Sequence, residues 1–435
     1  MTAATSILAR ARTEGGPTAG PVGSRRVNVD SSIPPVVSNL AKVADAFAPE
    51  PRELDHASVS LDSTMPGNVA VLIVQAHATD NDRWAFSLQG LSSIDGINSF
   101  GPTAPIAQPD VVLADLAQDV NPAGTALPSQ ILGIMHGFSQ ENREVAWWVN
   151  KLRAATGDDL HLIIIDYTGF EIPWELLTLP PSESGTGTYL GIAVSTARWQ
   201  TIYDAQTFED RPPQWTYEEL VGHITAFVDQ QELKGGGKEV QVLAELHATV
   251  ENGLKELANR LARSEAGFGL VYLACHGQSA LSPVDYALGS LLANGDRLVL
   301  GALQAMKLHL FDRSKAIVFI NACHSGRMLK DNKYLRTRYL RGFPEVFLSK
   351  GAVGVIGTTG FVNDTFATEM ATWFLRALST TDEPVSKLLR RWRGKVLGDL
   401  HAERSEEDDV ALLNACMYVY YGNPQSRLRI TEAPP

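Results

Sequence analysis

Cysteine is scarce in this chain. Cys275, Cys323 and Cys416 are the three found in 435 residues, an odd number with no short spacing, which excludes a disulfide framework and a CxxC zinc cage. Any cysteine with a role must act as a thiol. Positive charge is also short: 37 Lys and Arg face 49 Asp and Glu, a formal net charge of −12. No basic excess exists to neutralise phosphates or anionic lipid, so the reading assigns no nucleic acid and no membrane as partner. Long hydrophobic runs are missing as well. The most apolar stretches, such as 69–74 and 270–275, stop far short of the roughly 18 to 20 residues of a membrane helix, and 1–12 lacks the apolar core of a secretory signal. The expectation is a cytoplasmic protein.

At roughly 150 residues per domain, the length suggests about three domain-sized pieces. Residues 1–55 are rich in Ala, Gly, Pro, Ser and Thr without a sustained apolar period, and read as a mostly flexible N-terminal arm. Residues 56–137 carry strand-like runs at 58–62, 68–77, 83–90 and 110–116 between turn-forming stretches, which suggests a small β-rich domain. A helical spacing covers 138–156, with Val145, Trp148 and Leu152 on one face. Beyond it, short apolar runs at 160–166, 190–196, 222–228, 269–275, 316–322, 352–358 and 415–421 alternate with helical patterns at about 243–264, 301–308, 343–350, 363–379 and 384–397. That alternation predicts an α/β fold on a mostly parallel sheet with helices on both faces. Residues 426–435 read as a tail, and no internal repeat is evident.

Two of the apolar runs end alike. LVYLACHG stops at His276-Gly277, and IVFINACHSG stops at Cys323-His324-Ser325-Gly326. Ligands of open α/β sheets bind beyond the carboxyl ends of the strands, so two neighbouring parallel strands would deliver His276 and Cys323 to one cleft. A thiol with a pKa of about 8.5 is only a few per cent thiolate at neutral pH, and an adjacent imidazole can take its proton. Cys323 is then the nucleophile and His276 the base, with the backbone N–H groups of Gly277 and Cys323 as oxyanion donors. Residue types alone leave open a buried Cys323 and an ordinary loop His276. Cys275 precedes His276, so strand alternation turns it to the opposite face, and the same alternation argues against a metal held by the two Cys-His pairs. The reading requires no metal and no cofactor. His136-Gly137 imitates the active-site word, but is taken as structural.

LVYLACHGQ, the Ser-Leu-Leu-x-x-Gly-Asp-x-Leu stretch at 290–298, IVFINACHSG and GAVGVIGTTGFVND, preceded by IIDYTGFEIPWELL at 164–177, resemble the CHAT family of caspase-like cysteine peptidases, relatives of caspases, metacaspases and separases. The resemblance implies a caspase-like peptidase domain over 138–425, with a non-catalytic half at about 138–235 and a catalytic half at about 240–425. It implies His276 and Cys323 as a catalytic dyad. The residue after Cys323 is His324 where CHAT sequences commonly carry an acidic one, so the word is closer to the metacaspase form. Asp364 falls where separases and many CHAT proteins have an aspartate, which implies a substrate-binding carboxylate for Arg or Lys; capping of the following helix is the alternative. Asn321 stands where caspases have a pocket glutamine, or is a hydrogen bonder at a strand end. Trp174 and Glu175 are family markers expected to pack and brace the scaffold. The segment 327–341, with Arg327, Lys330, Lys333, Arg336, Arg338 and Arg341, is either a solvated loop or a self-processing loop cut at Lys333, Arg336 or Arg338. The implied activity is a regulated endopeptidase, dormant until activated, that cuts a protein substrate after Arg or Lys in bacterial defence, stress or cell death. An activating sensor protein or signal would be its partner. A catalytically idle, partner-binding scaffold is the alternative.

Overall fold

The computed structural model describes residues 65–431 apart from 78–84, 112–126, 182–186, 200–201, 204–209, 212–214, 216–217, 264, 266, 280–282, 293–294, 331–339 and 402–403. The N-terminal arm at 1–55 and the strand expected at 58–62 therefore lie outside the described residues.

A 12-stranded sheet organises the chain. Its strands in chain order are β1 (Val69–His77), β2 (Ala85–Ser92), β3 (Ile106–Ala107), β4 (His161–Asp166), β5 (Ser195–Trp199), β6 (Glu218–Val228), β7 (Thr249–Glu251), β8 (Phe268–Ala274), β9 (Ile317–Asn321), β10 (Gly354–Thr358), β11 (Tyr418–Gly422) and β12 (Ser426–Ile430). Across the sheet the order is β7-β6-β8-β9-β10-β11-β5-β4-β1-β2-β3, and β12 adds to the first half of β6. The central ladders are parallel. Among the described residues of this sheet, the β1–β2, β2–β3 and β10–β11 pairs run antiparallel.

Both faces are covered, which is why the strands read as continuous apolar runs rather than alternating ones. On one face Leu270, Tyr272, Ala274, Ile317 and Phe319 pack in a core with Val242 and Leu243 of the helix Gly236–Glu245 and with Met370, Phe374, Leu388 and Trp392. These last four come from the helices Asp364–Thr380 and Val385–Asp399. On the other face Val271, Leu273, Val318 and Ile320 meet Leu257 of the helix Leu254–Leu261 and Val346 and Phe347 of the helix Phe343–Ser349. Each such side chain fully withdrawn from water contributes about 1.5 to 3 kcal/mol before the entropy of ordering is set against it.

Several expectations change. The strands of 69–107 do not stand apart as a β-rich domain of their own: β1 pairs along its length with β4 and continues the main sheet. The helical pattern of 138–156 is two helices, Pro128–Glu141 and Arg143–Thr156, divided at Asn142. The helix expected over 243–264 is interrupted, because His247 takes a φ of 52° and the chain enters β7 before the second helix starts at Leu254. The run at 190–196 opens as a helical turn, Leu190–Ala193, and β5 begins only at Ser195. The expected tail beyond 425 supplies β12, whose Leu428 is buried against the sheet.

Candidate active site

β8 and β9 are parallel neighbours, and Ala274 opposite Asn321 is their last pair. His276 and Cys323 each follow two residues later, so the two strands release them at the same level. Parity also agrees. Tyr272 and Ala274 face one core while Cys275 faces the other, and Phe319 lies on the first side while Ala322 lies on the second. His276 and Cys323 thus continue the same face of the sheet. Cys275 is 2% exposed, and burial raises its thiol far out of the neutral range.

Gly277 presses directly on Cys323. A Cβ at Gly277 would stand 1.7 Å from the Cys323 carbonyl oxygen and 3.0 Å from its nitrogen, so no side chain fits there. Gly277-Gln278 then pairs with Ala287–Gly289, which pairs in turn with Arg297–Val299. This small antiparallel sheet is tied to the end of β8 by the Gly289 N–H, which donates to His276 O at 2.9 Å.

Cys323 opens a tightly held turn. The Ser325 hydroxyl donates to Ile320 O at 3.0 Å and accepts from the Thr358 N–H at 3.1 Å, while the Thr358 hydroxyl donates to Ala322 O at 2.7 Å. His324 has a φ of 60° and a buried ring whose pKa falls to about 4, chiefly through burial and then through Arg327. The ring is a neutral imidazole, and the backbone N–H of His324 donates to Gly360 O at 3.0 Å.

The Cys323 sulfur lies against the Val362 peptide, accepting from its N–H at 3.5 Å and facing its carbonyl at 3.7 Å. Burial pushes the thiol up and the charge of Asp364 adds to this, while the N–H groups of Val362 and of Cys323 itself pull it down. Among the described residues no hydrogen bond joins the sulfur to His276. The imidazole, about 30% exposed, has instead the Glu232 carboxylate 3.8 Å from its Nε2. Sequence reading missed Glu232, which sits 44 residues before His276 in a loop marked only by Gly235–Gly237.

Asp364 is partly buried, and its carboxylate accepts from the Lys234 N–H at 2.8 Å. The helix cap is Asn363, whose side chain accepts from the N–H groups of Thr365 at 2.9 Å and Phe366 at 3.4 Å. Asn321 differs from a pocket-lining amide. It is 5% exposed and fully engaged beneath the site, donating to Glu239 at 3.2 Å, Tyr272 at 3.3 Å and Ala367 O at 3.3 Å, and accepting from the Tyr418 hydroxyl at 2.7 Å. Glu239, accepting from Tyr272 at 2.6 Å, has its pKa raised by burial to about 7.

The upstream marker segment braces this region. Trp174 donates to Asp166 at 2.9 Å, and Glu175 forms a buried ion pair with Arg198 of β5. Arg327 is not a solvated loop residue: it grips Glu171 with two bonds of 2.5 and 2.6 Å. Leu329–Lys330 pairs with Leu340–Arg341 and closes the base of the following segment, whose Lys333, Arg336 and Arg338 lie outside the described residues. His136 is exposed on the helix Pro128–Glu141, in a different part of the fold. Among the described residues no cluster of His, Cys, Asp and Glu could hold a metal ion, and no helix is long and apolar enough to cross a membrane.

The family model described as the CHAT domain matches residues 149–424, well over half of the chain. The chain belongs to the CHAT family, and the matched residues fold as a mostly parallel α/β sheet. A comparison with curated proteins finds no match. Among solved structures it is similar to the Saccharomyces cerevisiae separase–securin complex at 2.6 Å, with 15% identity, a TM-score of 0.38, and coverage of 67% of this chain and 18% of that chain. It is also similar to the complex of Porphyromonas gingivalis RgpB pro- and mature domains, with 9% identity, a TM-score of 0.37, and coverage of 67% of this chain and 69% of that chain. The chain thus spans about a fifth of the separase chain it matches.

Proposed function

We propose that this protein is a cysteine endopeptidase in which Cys323 is the nucleophile and His276 the base. The observation that carries this reading is the matched release of the two side chains from adjacent parallel strands, two residues beyond their last pair and on one face. The sulfur attacks the scissile carbonyl carbon as the imidazole takes the thiol proton. Backbone N–H groups at Gly277 and Cys323 meet the oxyanion. Collapse breaks the C–N bond, the imidazolium protonates the leaving amine, and a thioester remains on Cys323. Water activated by the neutral imidazole then hydrolyses it, so no cofactor is consumed.

Asp364 supports a preference for Arg or Lys at the cut. Its charge reaches the Cys323 thiol, and its helix is already capped by Asn363, so the carboxylate is spared that duty. A guanidinium bound there would gain a charge-assisted pair that a neutral side chain lacks. The resting arrangement, with a protonated sulfur against the Val362 peptide and, among the described residues, no hydrogen bond to His276, supports a dormant enzyme switched on by a protein partner or signal, in keeping with the defence, stress or cell-death role that CHAT resemblance implies. The same arrangement also favours a second reading, an idle partner-binding scaffold.

Labelling separates the two. A peptidyl-Arg chloromethyl ketone should label the wild-type chain at Cys323, leave Cys323→Ala unlabelled, and label His276→Ala far more slowly. A chain that cleaves no peptide and takes no label, alone or with its activator, refutes the peptidase reading and leaves the scaffold.

A further inference from the structure

The loop between β6 and the helix Gly236–Glu245 reaches the end of β8, His276 and Asp364. The Asp229 N–H donates to Ala274 O at 2.8 Å, which ties the loop to the end of β8. The Asp229 carboxylate accepts from the N–H groups of Gln231 and Glu232, both at 3.2 Å. The Lys234 N–H reaches Asp364. Between these anchors, Glu232 extends toward the imidazole.

Its carboxylate is held from the far side. Ser290 donates its hydroxyl to one oxygen, and the Leu291 N–H donates to the other at 2.9 Å. Arg297 steadies that stretch by donating to Ser290 O at 2.8 Å and Leu291 O at 3.0 Å. The charged and titratable groups facing Glu232 are therefore His276 and Arg297, with Asp229 beneath its own peptide. The Ser290 and Leu291 bonds keep its carboxyl below the usual range, so it is ionised at neutral pH. The oxygen held by the Leu291 N–H is the one that stands 3.8 Å from the imidazole Nε2.

We propose that Glu232 is the positioning residue for His276: its carboxylate faces Nε2, fixes the ring with Nδ1 as the nitrogen left for the Cys323 thiol, and stabilises the imidazolium that the thiol proton creates. The proposal rests on the reading of His276 and Cys323 as the reacting pair. It adds an acidic third member carried by the loop after β6, and it couples the imidazole to the hairpin that bears Ser290 and Leu291. A carboxylate facing the ring stabilises the positive charge that appears when the imidazole accepts a proton. It therefore helps the ring take a proton from a thiol that burial has raised.

The test begins without turnover. In Cys323→Ala protein with 13C-labelled histidine, the His276 resonance is assigned by its loss in the additional His276→Ala variant and titrated. Glu232→Gln, which keeps one acceptor oxygen for the Leu291 N–H and turns its amide donor to the Ser290 hydroxyl, should shift the His276 titration to lower pH. Glu232→Asp, charged but one methylene shorter, should fall between, and it carries the test if the Gln variant does not fold. An unchanged His276 pKa in both variants overturns the proposal. In the active chain, Glu232→Gln should lower kcat about tenfold with KM unchanged, and shift the acid limb of the pH–rate profile. A loss confined to KM, or one matched by a fallen melting temperature, assigns Glu232 to loop structure and also overturns it. The two readings fail separately: an imidazole shift in a chain that never cleaves leaves Glu232 in place and removes the peptidase, whereas cleavage with no imidazole shift does the reverse.

Discussion

Gly277→Ala is the sharpest perturbation of the site that touches neither reacting side chain. The φ of Gly277 is not in the left-handed region, so the backbone tolerates alanine and the cost is steric alone. The added methyl would meet the Cys323 carbonyl oxygen at 1.7 Å and the carbonyl carbon at 2.7 Å, whereas ordinary contact begins near 3.4 Å. Neither obstacle is a flexible side-chain end; both belong to the backbone of the nucleophile. That backbone is pinned by the bonds of Ser325 and Thr358 to the strand ends, so it cannot easily recede. The tips of β8 and β9 must part by about 1.5 Å or more. A misplacement of about 1 Å can cost on the order of 100-fold in rate, and overpacking typically costs about 1 to 3 kcal/mol of stability.

Two assays read this. The alkylation rate of Cys323 by iodoacetamide against pH reports pairing of thiol and imidazole without a substrate, and kcat/KM on a peptidyl-Arg substrate reports the complete site. Gly277→Ala should lose roughly 100-fold in kcat/KM with a moderately lower melting temperature. Gly394→Ala is the control of opposite sign. It lies inside the helix Val385–Asp399 with open space at its Cβ, and should gain about 0.5 to 1 kcal/mol at unchanged rate. Wild-type kcat/KM in Gly277→Ala would refute the close approach of the two strand ends.

Cys323→Ala and His276→Ala should each abolish cleavage while melting near the wild-type temperature, whereas Cys275→Ala, on the opposite face, should retain the active-site chemistry at some cost in stability, as read by peptide hydrolysis and calorimetry. Asp364→Asn should lose selectivity for Arg and Lys substrates with little thermal effect, and Asn363→Ala should cost about 1 kcal/mol with selectivity kept; a reversal of the two outcomes would assign Asp364 to the helix. Glu175→Gln strips the carboxylate from buried Arg198 and should destabilise the chain by about 3 to 5 kcal/mol in denaturant melts. Glu239 has a folded pKa near 7 against 4.5 for an ordinary carboxyl, so the folded state holds a proton that the unfolded chain has released. Stability should therefore fall as pH rises from about 4.5 to 7, and Glu345, raised by burial to about 7, titrates in the same window. Glu239→Gln combined with Glu345→Gln should flatten that slope in melts at pH 5 to 8.

What the sequence disclosed depended on the range of the signal. The parallel core was legible because strands buried on both faces are written as unbroken apolar runs, as in 269–275 and 316–322, and because reactive residues stood where those runs stopped. Edges were harder. β7 is three residues long and carries no apolar pattern of its own, so the helical spacing on either side was read straight through it. Leu428 of β12 pairs with Leu220 at the far end of β6, a contact across some two hundred residues that no local pattern encodes. The lead-in strands had the right type but the wrong allegiance, since alternation identifies a strand without naming its neighbour. Polar roles divide in the same way. Asn363 and Asp364 adjoin, and either could cap a helix; only the bonds to Thr365 and Phe366 assign the cap to Asn363 and free Asp364 for other work. Asn321 looked available because it lies near the end of a strand, yet its parity turns it into a cavity already filled by Glu239, Tyr272 and Tyr418. Glu232 had no sequence signal at all, because what distinguishes it is distance from an imidazole on another strand. A site assembled from strand ends is therefore half visible in advance: the residues that end apolar runs announce themselves, whereas those that orient them arrive from loops, and only the fold brings them within reach.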